Sequence, residues 1–434
     1  MAVLWRELPS LLPLYKVLIP DDVLETLTAC WTNLPDSAPL QSQINSVHSP
    51  GSERWARFMH YAAYIRTVLR IELDGFETEL FRLLAGQPPP EDVSDFITGL
   101  TVLRQLRELK LHCSLDPHHL RELVFGLPHL VGLNASIDGF SDARRGQLDR
   151  IFAPSLRRLK CSGAWDDIVR LPFALKCPAL DELRLALHRP SPSTFLAALC
   201  QCVRGICGQA FAPRLRLLSI FATGAAQAPK RRSIADILAP LAALESLEDL
   251  ALEVVDRGEG SMLLVPLGSD NIMRTVAAAL RRARRVSLVV RHAQSHTMHS
   301  RWTRSYEYQD PNTPTLRSLV HFATMCPRLT SLALVPVFVP PLMLMIAGKG
   351  MPTCSAPNLR ELHLHAEEEV TRTNAPRSLA VYLDKLFPNL EISAYTYHHS
   401  VLPASVAVTA MDHDGINITR RKRIVHCGDE ATAT

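Results

Sequence analysis

One short phrase recurs along most of this chain: a small or apolar residue, then proline, any residue and leucine. That leucine opens a Leu-x-x-Leu-x-apolar step. A phrase repeated along a chain predicts stacked structural units that pack only on their neighbours, so it constrains the fold more than any other feature. It also favours a binding surface over an enzymatic pocket. The copies of the phrase begin at Leu127, Ala153, Cys177, Ala212, Cys326, Ala356 and Phe387.

The leucine steps predict β-strands. In the copy Leu180, Leu183, Leu185, the last two leucines are two residues apart, the spacing at which strand side chains share a face. The residues on either side of Leu183, Glu182 and Arg184, are polar, as a solvated sheet face requires. The same step starts at Leu106, Leu130, Leu156, Leu215, Leu247, Leu329 and Leu359, and in degenerate form at Ile65 and next to Val286.

Each inward leucine should stabilise the fold by about 1.5–3 kcal/mol through burial. Truncation of Leu183 or Leu362 to alanine should therefore cost roughly 2–5 kcal/mol, because a cavity is left behind.

Helical patterns precede most of the strands. Several begin at a residue that commonly caps helices, such as Ser193, Ser233, Asp270 or Thr315. The proline of the phrase follows a few residues later, and we infer that it ends the helix and leads the chain extended into the strand. One repeat is therefore a helix, a proline turn and a strand. The predicted helices span 53–65, 94–103, 118–125, 193–203, 234–244, 270–282, 315–325 and 377–386.

The repeat spacing is irregular. It ranges from 24 residues, between Leu156 and Leu180, to 46 residues, between Ala283 and Leu329. Regular leucine-rich repeats are about 20–29 residues long. We therefore predict an α/β fold: an irregular leucine-rich-repeat-like solenoid over 61–398, with parallel strands on the concave face and helices on the convex face. Residues 1–60 lack the repeat and should form a helical and loop segment, and 399–434 a C-terminal tail.

The bulk composition agrees with a folded protein. Of the 434 residues, 47% are apolar and 21% charged, and the formal net charge of +4 does not argue for nucleic-acid binding. The 10 cysteines show no paired spacing, which favours reduced thiols in an intracellular protein. Prolines interrupt the apolar N-terminus, which therefore makes a poor signal peptide. We expect a cytoplasmic or nuclear protein that does not enter the membrane, and the basic run 420–423 is a candidate for nuclear import.

Motifs for chemistry are sparse. His292, His296 and His299 could hold a metal on a helix, but they lie in a polar insertion, and a solvated loop is the favoured interpretation. The arginine-rich run 281–285 fits either the cation preference of a helix C-terminus or a patch for an acidic partner. The sequence contains no nucleophile elbow, P-loop or dinucleotide fingerprint. We predict no catalytic residue, no cofactor and no metal.

Two N-terminal segments carry a family resemblance. The stretch from Leu4-Trp5 to Leu14, with its Leu-Pro-Ser-Leu-Leu-Pro core, and the run from Arg54-Trp55 to Ala62 resemble fungal F-box proteins with irregular leucine-rich-repeat-like arrays. There, a Leu-Trp pair near the end of the F-box region is followed by a helix-poor stretch. The compact F-box itself would precede Leu4 and is absent, so either the coding sequence begins further upstream or the chain is a truncated relative.

The resemblance implies the substrate receptor of an SCF-type ubiquitin ligase, whose partners would be a degradation substrate and, given an F-box, the adaptor and cullin. Two alternatives stay open: a stand-alone repeat scaffold, and an enzyme with an unrecognised site, which predicts a deep pocket with clustered titratable groups. From the strand pattern, the candidate partner-binding residues are the outward positions Lys110, Lys160, Arg184, Asp249, Glu253, Glu361 and His363.

Overall fold

The computed structural model describes residues 6–10, 12–18, 53–71, 103–140, 151–188, 195–224, 238–256, 269–292, 314–335, 358–364, 382–383 and 385–390. These residues fall into two compact units. The first takes in the residues up to Ala186 together with Gln209–Phe211, and the second takes in Leu187–Gly208 and the residues from Ala212 onward. Within each unit, strands alternate with helices or turns.

The first unit is built on a sheet of strands taken in chain order, β1-β2-β3-β4-β6-β8, beside a separate two-stranded pair, β5-β7. Its strands are β1 (Glu7–Leu8), β2 (Thr67–Ile71), β3 (Glu108–Leu115), β4 (Gly132–Ile137), β5 (Ile151–Phe152), β6 (Arg158–Ala164), β7 (Leu175–Lys176) and β8 (Glu182–His188), which begins in this unit. Its helices are α1 (Leu12–Leu18), α2 (Glu53–Ala62), α3 (Pro117–Gly126) and α4 (Trp165–Ala174).

The second unit repeats the plan, with strand order β9-β10-β11-β12-β13. Its strands are β9 (Leu217–Gly224), β10 (Asp249–Asp256), β11 (Arg285–His292), β12 (Ser331–Val335) and β13 (Glu361–Leu364). Its helices are α5 (Phe195–Cys207), α6 (Asp270–Ala279) and α7 (Leu316–Met325), with short 3-10 turns at Ala212–Arg214 and Ala239–Ala243.

The pairs along β1-β2-β3-β4-β6 in the first unit and along β9-β10-β11-β12-β13 in the second are all parallel. Parallel neighbours taken in chain order require a crossover between every two strands, and here the helices and turns provide it. This arrangement confirms the predicted fold class, a leucine-rich-repeat-like array of parallel strands and helices. Within the described residues each predicted strand is present, including the degenerate ones at Val68 and Val286, while the step that follows Leu390 lies outside them.

The phrase folds as a β-turn. The amide of Leu130 donates to the carbonyl of Leu127 at 3.0 Å, and the amide of Leu180 donates to Cys177 at 3.0 Å. Proline occupies the second position of the turn, where its fixed φ is already suitable, and Pro128 is exposed while Leu127 is buried. Copies without proline form the same bond: Leu106 to Leu103, Leu247 to Leu244 and Ala283 to Leu280.

The leucines of the strand step form the core. Leu183 and Leu362 are both fully buried, as the repeat pattern predicted. Cysteine takes the place of a small apolar residue at Cys161, Cys177 and Cys326, and all three are buried.

Several local features depart from the sequence pattern. Helix α4 was not predicted, since Pro172 interrupts its pattern, although Trp165 and Ile168 anchor it in the core. Ser269 is the N-cap of α6, so Asp270, expected to cap, is instead the first helical residue.

The last residues of the stretch expected to be helix-poor form the first turn of α1, where Pro13 is tolerated because a missing amide there costs no hydrogen bond. The predicted helix 234–244 is largely a 3-10 turn in its described part. Most of 94–103 lies outside the described residues. The domain boundaries at residues 60 and 398 stay predictions.

Candidate protein-interaction face

Alternate residues of each strand point away from the leucine core and form what we call the sheet face. On β3, Leu109 and Leu111 are buried, whereas Lys110 between them is exposed. The same alternation exposes Lys160 on β6 and Arg184 on β8. Because the strands are parallel and in register, outward residues of neighbouring strands line up in rows across each unit.

The first row of the first unit carries a charge pair that spans three strands. Glu108 on β3 lies directly opposite Gly132 on β4 in the strand register, and Gly132 in turn lies opposite Arg158 on β6. We call such register partners level with each other. The guanidinium of Arg158 reaches over Gly132 and pairs with the Glu108 carboxylate. A Cβ on Gly132 would overlap that carboxylate, so the glycine lets the Glu108 side chain lie over the β4 backbone.

The second row holds two of the candidate residues together. Lys110 is level with Asn134, and Asn134 is level with Lys160, so one lysine stands on each side of β4. Both lysines are exposed, and within the part of the chain that the structure describes neither ammonium group pairs with a carboxylate.

Arg184 is placed differently from the two lysines. Its Nε donates to Oε1 of Glu182 at 2.6 Å, and both residues lie on the outward side of β8. The positive charge of Arg184 is therefore already paired with a carboxylate of its own strand.

In the second unit the candidates lie further apart. Asp249 and Glu361 share the row Leu217, Asp249, Arg285, Ser331, Glu361, with two strands between them. Glu253 is on the same strand as Asp249 but level with Phe221 and Val289. His363 ends a row of short side chains, Ser219, Ala251, Ser287 and Ala333. These four residues therefore form no compact cluster.

The sequence interpretation missed a line of arginines at the strand starts. The carbonyl of Arg107 accepts two backbone amides from the next strand, Val131 at 2.7 Å and Gly132 at 2.8 Å, and Arg66, Arg157, Arg216 and Arg284 repeat this geometry. The signal was available in the sequence as a Leu-Arg or similar pair directly after the phrase. These side chains add cations along the edge of the sheet face.

Two of those arginines are bridged by Glu248, the residue directly before β10. Arg216 Nη2 lies 2.9 Å from both Glu248 carboxylate oxygens, and Arg284 Nε lies 3.6 Å from Oε2. The Arg216 hydrogen bond holds the pKa of Glu248 below its usual value, with Arg284 contributing. One member of the arginine-rich run 281–285, Arg284, therefore already pairs with a carboxylate of the same chain at the surface.

No protein-family profile matches this chain. No characterised protein matches it at a significant level either. Among solved structures, it is similar to the leucine-rich-repeat-containing protein LegL7 of Legionella pneumophila, with 13% identity, a TM-score of 0.35, and coverage of 81% of this chain and 92% of that one.

Two further solved structures are similar at lower scores. One is Rad7 in its complex with Elc1 from yeast, with 14% identity, a TM-score of 0.22, and coverage of 74% of this chain and 88% of that one. The other is a leucine-rich-repeat protein of Leptospira interrogans, with 12% identity, a TM-score of 0.23, and coverage of 80% and 92%.

The described thiols are poor candidates for chemistry. Burial raises the pKa of Cys161, Cys177, Cys202 and Cys326 to about 12, which suppresses the reactive thiolate. Among the described residues, no group of three or more His, Cys, Asp or Glu side chains is arranged to hold a metal ion. His292 ends β11, while His296 and His299 lie outside the described residues. None of the described helices has the length and apolar character to cross a membrane.

Proposed function

We propose that this protein is a non-enzymatic protein-recognition module that binds its partner through the sheet face. The observation that carries the proposal is the separation of roles along each strand. Buried leucines such as Leu183 hold the framework, while the outward residues beside them, such as Lys110 and Lys160, take no part in the core. Repeat folds of this kind serve as extended binding surfaces because their outward residues vary without cost to the core.

The register supports the proposal in a second way. A parallel sheet fixes the positions of outward side chains at strand spacings of about 4.8 Å, so a partner meets a pre-organised array of polar groups. Pre-organisation reduces the entropy lost on association, which is a main cost of binding. The seven predicted contact residues belong to strands of the two units, and their role in binding stays a prediction.

Site-specific photocrosslinking tests the proposal. A benzoyl-phenylalanine would replace Asn134 or Ser287 on the sheet face, and Arg204 or Thr275 on exposed helix surfaces as matched controls. In cells that express the protein, we expect discrete crosslinked partner bands from the two sheet-face positions. Bands from the helix positions alone would reject the sheet face as the binding surface.

We further propose that the recognised partner is a degradation substrate and that the protein is the receptor of an SCF-type ubiquitin ligase. The support is the N-terminal resemblance to fungal F-box proteins. In the structure, the segment that carries it leads into the sheet: Glu7 and Leu8 pair with Thr67 and Val68, and α1 contacts α2.

Affinity purification of the protein expressed from its complete natural gene tests this finer proposal. Recovery of the adaptor and a cullin would support it. Crosslinking through Asn134 without adaptor or cullin in the purified complex would instead favour a stand-alone scaffold.

A further inference from the structure

We propose that the row Lys110, Asn134, Lys160 binds an acidic segment of the protein partner. This inference rests on the proposed function, since it specifies the chemistry of the partner at one part of the sheet face. The row is fixed by the pairing of β3 with β4 and of β4 with β6. Strand spacing places the two lysine backbones about 10 Å apart, with Asn134 midway.

The surface of β4 forms a trough between the lysines. Its outward residues are short and carry no charge: Gly132, Asn134 and Ser136. Ser136 is held down by a hydrogen bond from its Oγ to the carbonyl of Ser162 at 3.2 Å. The side chains of Lys110 on β3 and Lys160 on β6 therefore rise above Asn134 on both sides, while the Glu108–Arg158 pair covers Gly132 and closes that end of the trough. An extended chain has room along β4 from Asn134 towards Ser136.

Charge accounts for the choice of an acidic occupant. Near the trough, Glu108 is engaged by Arg158, and Glu182 by Arg184. Four cations on β3 and β6 or at their starts, Arg107, Lys110, Arg157 and Lys160, have no carboxylate partner among the residues that the structure describes. Positive charges on both sides of the uncharged surface of β4 attract an anionic segment and orient it along the strand.

A peptide suits the trough better than a nucleic acid. Sequence-tolerant binding of single strands relies on aromatic platforms for the bases, and β3, β4 and β6 contain no Phe, Tyr or Trp. Asn134 provides both an amide donor and a carbonyl acceptor, which matches the backbone groups of an extended peptide. Carboxylates on such a peptide recur about every 6.6 Å on one side, within reach of both lysine side chains.

Fluorescence anisotropy with a fluorescein-labelled hexaglutamate peptide tests the inference. We expect K110Q/K160Q to weaken binding by about tenfold, and N134A to weaken it by a smaller factor. The matched control, K176Q/R204Q, removes the same net charge at exposed positions on β7 and α5, outside the lysine row, and should leave the affinity within about twofold. A hexaglutamine peptide should not bind, and affinity for hexaglutamate should fall as salt rises.

Four results would overturn the inference: no binding of hexaglutamate, no loss in K110Q/K160Q, an equal loss in K176Q/R204Q, or tighter binding of an oligothymidylate that depends on the same lysines. Its failure is distinguishable from failure of the proposed function. Partner crosslinks at Asn134 without hexaglutamate binding would leave the recognition face standing and reject only its acidic preference. Hexaglutamate binding without partner crosslinks at either sheet-face position would reject the proposed function.

Discussion

Glu108 and Arg158 are fifty residues apart in the chain, yet they pair across the backbone of Gly132 on the strand between them. The pair exists because β3, β4 and β6 are in register and the middle position lacks a side chain. The two side chains remain partly exposed, so the pair contributes about 0–1 kcal/mol and orders the face more than it stabilises the fold.

Substitution by alanine at two glycines of this sheet should have different effects on stability. At Gly132 the new Cβ meets only the end of the Glu108 side chain, with its Cδ at 2.7 Å, which can move aside. At Gly163 it overlaps the backbone carbonyl of Ile137, which cannot. We expect G163A to lower the free energy of unfolding by about 1–3 kcal/mol and G132A by less than about 1 kcal/mol. Urea denaturation measures both, and equal losses would contradict this geometry.

Truncation of a core residue and of a surface residue in the first unit should differ clearly in their effect on the free energy of unfolding. Leu183 is fully buried on β8, and Phe125 on α3 is 87% exposed. L183A should cost roughly 2–5 kcal/mol of unfolding free energy, because it leaves a cavity. F125A should cost less than about 0.5 kcal/mol, since its ring is already in water. A similar melting temperature for L183A and the parent protein would reject the predicted leucine core.

Asp270 joins the starts of two helices in the second unit. Its carboxylate accepts from the amide of Thr315 at 2.8 Å, from the hydroxyl of Thr315 at 2.6 Å and from the hydroxyl of Ser318 at 2.6 Å. D270A should lower the free energy of unfolding by about 1.5–3 kcal/mol, since hydrogen bonds to a charged group are lost.

Hydrogen exchange provides the second readout for Asp270, and amides at the start of α7 should lose protection in D270A. The matched control is D166A, an exposed acidic residue in the first turn of α4. Equal effects of D270A and D166A on stability would show that the link between α6 and α7 contributes nothing.

The buried thiols should be inert in the folded protein. Burial raises the pKa of Cys177 from 9.0 to about 12, so the folded state holds about a thousandfold less thiolate at neutral pH than the unfolded chain. Peptide-level mass spectrometry after iodoacetamide treatment should find Cys161, Cys177, Cys202 and Cys326 unmodified in the native protein and modified in urea. Rapid native labelling of Cys177 would contradict its burial.

The same pKa shift has a consequence for stability. The thiol pKa is higher in the folded state, so its stabilising contribution is complete below pH 9 and is lost as the pH rises towards about 12. C177A should therefore show a shallower decline of unfolding free energy over that interval than the parent protein. An unchanged slope would mean that Cys177 ionises equally well in both states.

The repeat pattern predicted the sheet with few errors, because each strand is encoded locally by its own leucine step. Helices were harder to predict where a local rule was broken. Pro172 interrupts the helical pattern of α4, so the sequence did not predict this helix. The burial of Trp165 and Ile168 stabilises it by more than the hydrogen bond lost at the proline. Asp270 looked like a cap in the sequence, but its carboxylate serves another helix, a long-range role that no local pattern contains.

The candidate face was predictable residue by residue but not as an arrangement. Alternation along the strands identified Lys110 and Lys160 as outward, and the structure agrees. The sequence could not show that Asn134 lies between them, because that depends on the register of three strands separated by loops of different length. It also could not show that Glu182 already engages the charge of Arg184.

By itself, the sequence determined the repeated turn, the direction of each leucine and the parallel strand-and-helix plan, since these follow from periodicity and from the restricted backbone of proline. Only the tertiary structure decided which charges face one another. Ion pairs such as Glu108 with Arg158, and neighbouring cations such as Lys110 and Lys160, arise from strand register, which brings together residues about fifty positions apart. The alternation of side chains along a strand determines which face of the sheet each side chain occupies. The register between strands of different repeats determines which side chain lies next to it.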